Sequence, residues 1–81
     1  MYSLFNQVII YPNPNKGIIN VDLGNLKKVS IKVYNIAGQL IYKDENINVP
    51  TYHFQIVESN GVYFIELNSN NEKQKYKIII K

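Results

Sequence analysis

The sequence has no cysteine, no arginine and no tryptophan, and a single alanine among its 81 residues. Without cysteine there is no disulfide, no thiolate zinc site and no thiol nucleophile, so the fold rests on packing and strand pairing alone. Without arginine there is no planar guanidinium fork for guanine edges or phosphates. The nine lysines, ammonium groups on flexible stems, imitate that fork poorly. A pI near 9.2 is thus a weak pointer to nucleic acid, and no nucleic-acid partner is expected. No uninterrupted apolar run exceeds four residues, as in Val8 to Tyr11, against the roughly 20 of a membrane-spanning helix, so no membrane insertion is expected. Residues 1–7 lack the basic leader, the apolar run and the small-residue cleavage site of a secretory signal peptide. They read as a linker or remnant ahead of one domain over 8–81.

A chain of this length buries roughly 60–65% of its unfolded surface, enough for one core but not for a deep cleft fed by several loops. Large multi-step enzymes are excluded. An apolar fraction of 46% with a net charge of only +3 excludes disorder. What is abundant is strand-forming: 13 isoleucines, seven valines and seven tyrosines, with few strong helix formers.

Turn chemistry divides the chain into seven strand-length segments, over 7–11, 18–23, 28–35, 39–43, 52–56, 62–68 and 74–81. Pro12-Asn13-Pro14 stops the first, because two prolines fix φ and remove two ladder donors. In the second, Ile19, Val21 and Leu23 share one face. In the third, Val29, Ile31 and Val33 oppose Ser30, Lys32 and Tyr34. Asn35-Ile36-Ala37-Gly38 fits a four-residue turn into the fourth strand, whose buried face periodicity leaves open. Residues 44–50 read as a polar connection long enough to cross between sheets. The sixth segment is apolar on both sides over its first half, as a central strand is. The last points Tyr76, Ile78 and Ile80 inward and Lys75, Lys77, Ile79 and Lys81 outward. No segment keeps helical spacing. The pattern predicts an all-β, compact immunoglobulin-like antiparallel sandwich of about seven strands.

No catalytic constellation is present in this pattern. His53 stands on a polar strand face with no second histidine, and no serine lies in a nucleophile elbow. Asp44-Glu45 is the one adjacent acidic pair; calcium needs six or more oxygens, so the pair reads as solvated loop carboxylates. The glycines stand singly at turns and form no phosphate loop. No enzyme activity, cofactor or metal is expected. Lysines 73, 75, 77 and 81 make a basic stripe on the last strand. That stripe suits either an edge kept from pairing with other strands or a docking face for an acidic partner. Among the tyrosines only Tyr34 sits clearly on a polar face, thin support for a sugar platform.

The punctuation taken in order is more specific than any of its parts. Ile10-Tyr11-Pro12-Asn13-Pro14, Gly17 before Ile19 and Val21, Val33-Tyr34-Asn35 with Gly38, Gly61-Val62-Tyr63-Phe64-Ile65 and a lysine-ended apolar tail resemble the C-terminal sorting domain of the type IX secretion system, type A. The resemblance covers 8–81. It departs at Asn35, where aspartate is common in the family and asparagine serves the same turn. The resemblance implies a non-enzymatic sandwich at the end of a larger cargo, whose own signal peptide lies upstream. Its partners would be the covalently attached cargo, the outer-membrane translocon and surface sortase components. It would occupy the periplasm in transit, then the cell surface or extracellular space of a Gram-negative bacterium. By position Pro12, Asn13, Pro14, Gly38, Gly61 and Tyr63 match the family motif, and Lys75, Lys77, Ile79 and Lys81 are the expected recognition surface. The alternatives are an accessory carbohydrate-binding module or a structural adhesion module of a secreted protein.

Overall fold

Period-2 alternation decides which side each strand turns inward. The structure, a computed structural model, describes residues 8–11, 16–57 and 59–81. Pro12, Asn13 and Pro14 lie outside the described residues. The strands are β1 (Ile9–Tyr11), β2 (Ile18–Asp22), β3 (Val29–Asn35), β4 (Leu40–Ile47), β5 (Thr51–Gln55), β6 (Gly61–Ser69) and β7 (Glu72–Ile80). They form two antiparallel sheets in the orders β1-β2-β5 and β4-β3-β6-β7. This is the expected immunoglobulin-like sandwich, with the fourth strand placed beside β3 rather than on the sheet that holds β1, β2 and β5.

The core lies where the two inner faces meet. Ile19 and Val21 from β2 and Phe54 from β5 pack within one cluster with Val29, Ile31 and Val33 from β3, Ile65 and Leu67 from β6, and Ile78 and Ile80 from β7. These are the residues that alternation places inward. Each such side chain, fully buried, contributes about 1.5–3 kcal/mol. Tyr63 is buried at the start of β6, and its hydroxyl donates back to the carbonyl of Ser59. That tie fixes the loop entering β6 in the manner of the tyrosine corner of immunoglobulin-like folds.

β4 departs from the sequence reading in two places, both at bulges. Residues 44–50 are not all connection: β4 continues to Ile47, and the chain crosses between sheets in residues 48–50. The pairs Val29↔Ile47 and Ile31↔Asp44 leave Glu45 and Asn46 together opposite Ser30. Asn46 takes a left-handed φ of 58°, and the extra residue turns Ile47 back into the core. Polar residues hide this stretch from a period-2 search. At the other bulge Val33 pairs with Tyr42 and Tyr34 with Leu40, so Ile41 is the extra residue. Ile41 and Tyr42 both pack against the core, while Leu40 stays 46% exposed on the outside. Alternation within β4 is broken, which is why periodicity left its buried face open.

Candidate recognition face

The outer face of the four-stranded sheet is built by the residues that alternate with the core. Register across β4, β3, β6 and β7 sets them in rows. One row runs Leu40, Tyr34, Phe64, Lys77, and the next runs Lys43, Lys32, Glu66, Lys75. Beyond Phe64, Val62 pairs with Ile79; beyond Glu66, Ser30 pairs with Asn68 and Asn68 with Lys73. The face therefore grades from apolar at one end to basic at the other.

Two grooves lie along this gradient and share Glu66. One, of about 540 Å³, has Tyr34, Phe64 and Ile36 around it, with Lys75 at its charged side. The other, of about 420 Å³, is bordered by Lys28, Lys32 and Lys73 together with Glu45 and Asn68. Glu66 is only 6% exposed. Its carboxylate accepts a 3.3 Å hydrogen bond from Asn68 Nδ2 and lies 3.9 Å from Lys75 Nζ. Lys43 pairs with Glu45 at 3.7 Å. Lys32, however, has a second lysine, Lys43, as its cross-strand partner, an arrangement that costs stability in a sheet.

Of the expected recognition residues, Lys75, Lys77 and Ile79 share this face on β7, and Lys81 follows the end of the strand, exposed. Sequence reasoning missed their neighbours Phe64, Val62, Leu40 and Lys32, and it set Tyr34 aside as a lone ring. Strand order supplies what was lacking, because only the β3–β6–β7 adjacency puts Tyr34 opposite Phe64 and Phe64 opposite Lys77.

The motif residues within the described segments act on the backbone. Asn35 Oδ1 accepts from the backbone N–H of Ala37 at 3.0 Å and of Gln39 at 2.9 Å, and Asn35 Nδ2 donates to Gln39 Oε1 at 3.1 Å. Gly38, at φ 84°, donates its N–H to the Asn35 carbonyl. Gly61 opens β6 at φ 154°, a conformation that side chains other than glycine's rarely adopt.

His53 is exposed on β5 opposite Asn20. Asp44 is engaged at both oxygens: Oδ1 accepts the Glu45 N–H at 2.8 Å and Oδ2 the Tyr52 hydroxyl at 2.7 Å. The Tyr52 hydroxyl also meets that of Tyr42, whose ring stacks on Phe54 with centroids 4.6 Å apart. Burial, with the Tyr42 and Asp44 contacts adding to it, pushes the Tyr52 hydroxyl well above the usual tyrosine range, and burial raises Tyr76 as well.

Residues 9–81, which include every strand of the sandwich, match the model of the secretion system C-terminal sorting domain. The chain belongs to this family. The sorting-domain match agrees with the type IX resemblance carried by the turn motifs. Two relatives share the region. An endo-acting ulvan lyase of Formosa agariphila is 32% identical over 83 aligned positions, 96% of this chain but 16% of the relative. An ulvan lyase of Nonlabens ulvanivorans is 26% identical over 66 positions, 79% of this chain and 12% of the relative. The chain thus spans less than a fifth of either relative, and the lyase names describe those larger proteins. The sorting domain has its own core, and the outer face of its four-stranded sheet carries the basic and aromatic rows.

Proposed function

We propose that this sorting domain is a non-catalytic secretion signal that directs a covalently attached cargo across the outer membrane through the type IX translocon. A surface sortase then removes it. The observation that carries this reading is the family match over 9–81, which takes in the whole sandwich, together with alignment to relatives over only 12–16% of their own length. A module of that kind recurs on large secreted proteins without supplying their chemistry. The face bearing Lys75, Lys77 and Ile79, with Lys81 beyond it, is the surface the export machinery reads. In transit the domain passes through the periplasm, and its cargo ends at the cell surface or outside the cell.

The test is export of a reporter. A periplasm-directed fluorescent protein carrying this chain at its C-terminus, expressed in a bacterium with a type IX system, is expected in the medium or on the surface. Its mass there should be reduced by about that of the domain. Retention of the intact fusion in the periplasm would sink the reading. Replacing Lys77 and Lys81 by glutamate and Lys75 by glutamine, which brings no second carboxylate against Glu66, should lower export while the domain stays folded, because these three side chains are exposed.

A further inference from the structure

This inference rests on the proposed export role and names the chemistry of what the face reads. Three observations converge on it. The row Lys43–Lys32–Glu66–Lys75 carries three cations and one anion across four strands; Glu45 pairs with Lys43 and the row's one carboxylate is held by Asn68 and Lys75, which leaves Lys32 as the row's surplus charge. The adjacent row places Leu40, Tyr34 and Phe64 side by side, and Ile36, 77% exposed, stands over the groove at its end. Lys73 then lies two residues beyond Lys75 on the same face of β7.

Successive rows of one face are two residues apart along a strand, about 6.6–6.8 Å. An extended peptide laid along the strands repeats its own same-side side chains at that same distance. We propose that the outer face of β3, β6 and β7 binds an extended peptide segment of the pattern apolar, any residue, acidic, any residue, acidic. The apolar side chain enters the groove of Tyr34, Phe64 and Ile36. The first carboxylate sits over Lys32 and Lys75, and the second beside Lys73 in the row of Ser30 and Asn68, in the groove that Lys28 also borders. Such an occupant brings a carboxylate to Lys32 and so offsets part of its cross-strand opposition to Lys43, recovering in the complex a stability cost of the free domain.

The experiment is a titration of the isotope-labelled 81-residue chain, followed by amide resonances. The probe is a blocked seven-residue peptide with phenylalanine followed by aspartates two and four positions on, with serines between. Three further probes are a peptide with both aspartates shifted by one position, a peptide with asparagine for aspartate, and dextran sulfate. Support would be shifts centred on residues 32, 34, 64, 66 and 75, with the shifted-register and neutral peptides about fivefold or more weaker. Tyr34→Ser and Lys32→Gln, the latter placing no second carboxylate opposite Glu66, should each weaken the patterned peptide about tenfold without lowering the melting temperature by more than a few degrees.

Equal binding of the register-shifted peptide overturns the proposal, as does saturation of the face by dextran sulfate that the patterned peptide does not displace. The reporter assay separates this from the export role. If the fusion is exported normally and the patterned peptide fails to bind, the peptide chemistry is wrong and the sorting role stands. If the peptide binds and the fusion stays in the periplasm, the export role fails and the binding face stands as a property of the domain.

Discussion

The Tyr52 hydroxyl donates a 2.7 Å hydrogen bond to Asp44 Oδ2, which joins the edge of the three-stranded sheet to the edge of the four-stranded one. The two strands are linked by residues 48–50 alone, so this contact closes a loop that the chain itself has already made short. Its entropic cost is low for that reason. The hydrogen bond thus acts mainly as a clasp on the sandwich edge.

Tyr52→Phe removes the clasp and leaves Asp44 Oδ2 and the Tyr42 hydroxyl without this partner. A loss of about 1–2 kcal/mol is expected. That is a fall in melting temperature of about 4–8 °C per kcal/mol for a domain of this size, measurable by circular dichroism.

The same hydroxyl sets an alkaline limit. Its folded pKa lies above the ordinary value of 10.0, and Tyr76 is displaced in the same direction. For groups raised in the folded state the stabilisation is complete below the unfolded pKa and is lost as pH rises above it. Stability should therefore hold to about pH 9 and decline above about pH 10. The decline should be shallower in Tyr52→Phe. A melting curve as flat at about pH 11 as at about pH 8 would contradict this.

Gly17 sits at φ 105° with its carbonyl accepting the Ile56 N–H at 2.7 Å, and a Cβ there would stand 2.8 Å from the Ile56 carbonyl oxygen. Gly17→Ala forces the new Cβ against the Ile56 carbonyl oxygen in a conformation that alanine disfavours. A cost of about 1–3 kcal/mol is expected by chemical denaturation. Gly38→Ala shares the positive φ, but nothing lies within 4 Å of its Cβ position. It should cost less.

Asn35→Ala strips two backbone N–H groups of their acceptor and should lose roughly 1–2 kcal/mol. Asn35→Asp keeps both acceptor contacts and gives up only the amide donor to Gln39, so it should stay close to the parent. If the aspartate variant were as unstable as the alanine one, the turn would owe its stability to something other than the Oδ1 acceptor.

Glu66→Gln removes the carboxylate that lies between Lys32 and Lys75, while Lys43 keeps Glu45. Its stability should fall by about 1–2 kcal/mol at low ionic strength, because charged hydrogen bonds exceed neutral ones. It should partly recover in about 0.5 M salt, where screening shortens the reach of the lysine repulsion.

Much of the sandwich was legible because its central strands keep strict alternation. Val29, Ile31 and Val33, or Ile65 and Leu67, declare their buried face by period alone, and Asn35 and Gly38 declare the turn by side-chain chemistry. β4 resisted because each of its two bulges shifts the register by one, and one residue reverses every side chain beyond it. The proposed recognition face was half visible. Lys75, Lys77 and Ile79 lie on one strand, so their spacing groups them. Tyr34 and Phe64 are 30 positions apart and meet only through the β3–β6 pairing, which no local pattern encodes.

The two bulges of β4 carry a further consequence. An incoming strand needs donors and acceptors at an even pitch, and β4 offers that pitch only in short stretches. The four-stranded sheet thus terminates itself at this side. Many copies crowded together, each attached to a different passenger, would find no template here for growing into a shared sheet, and the passengers would remain separate molecules.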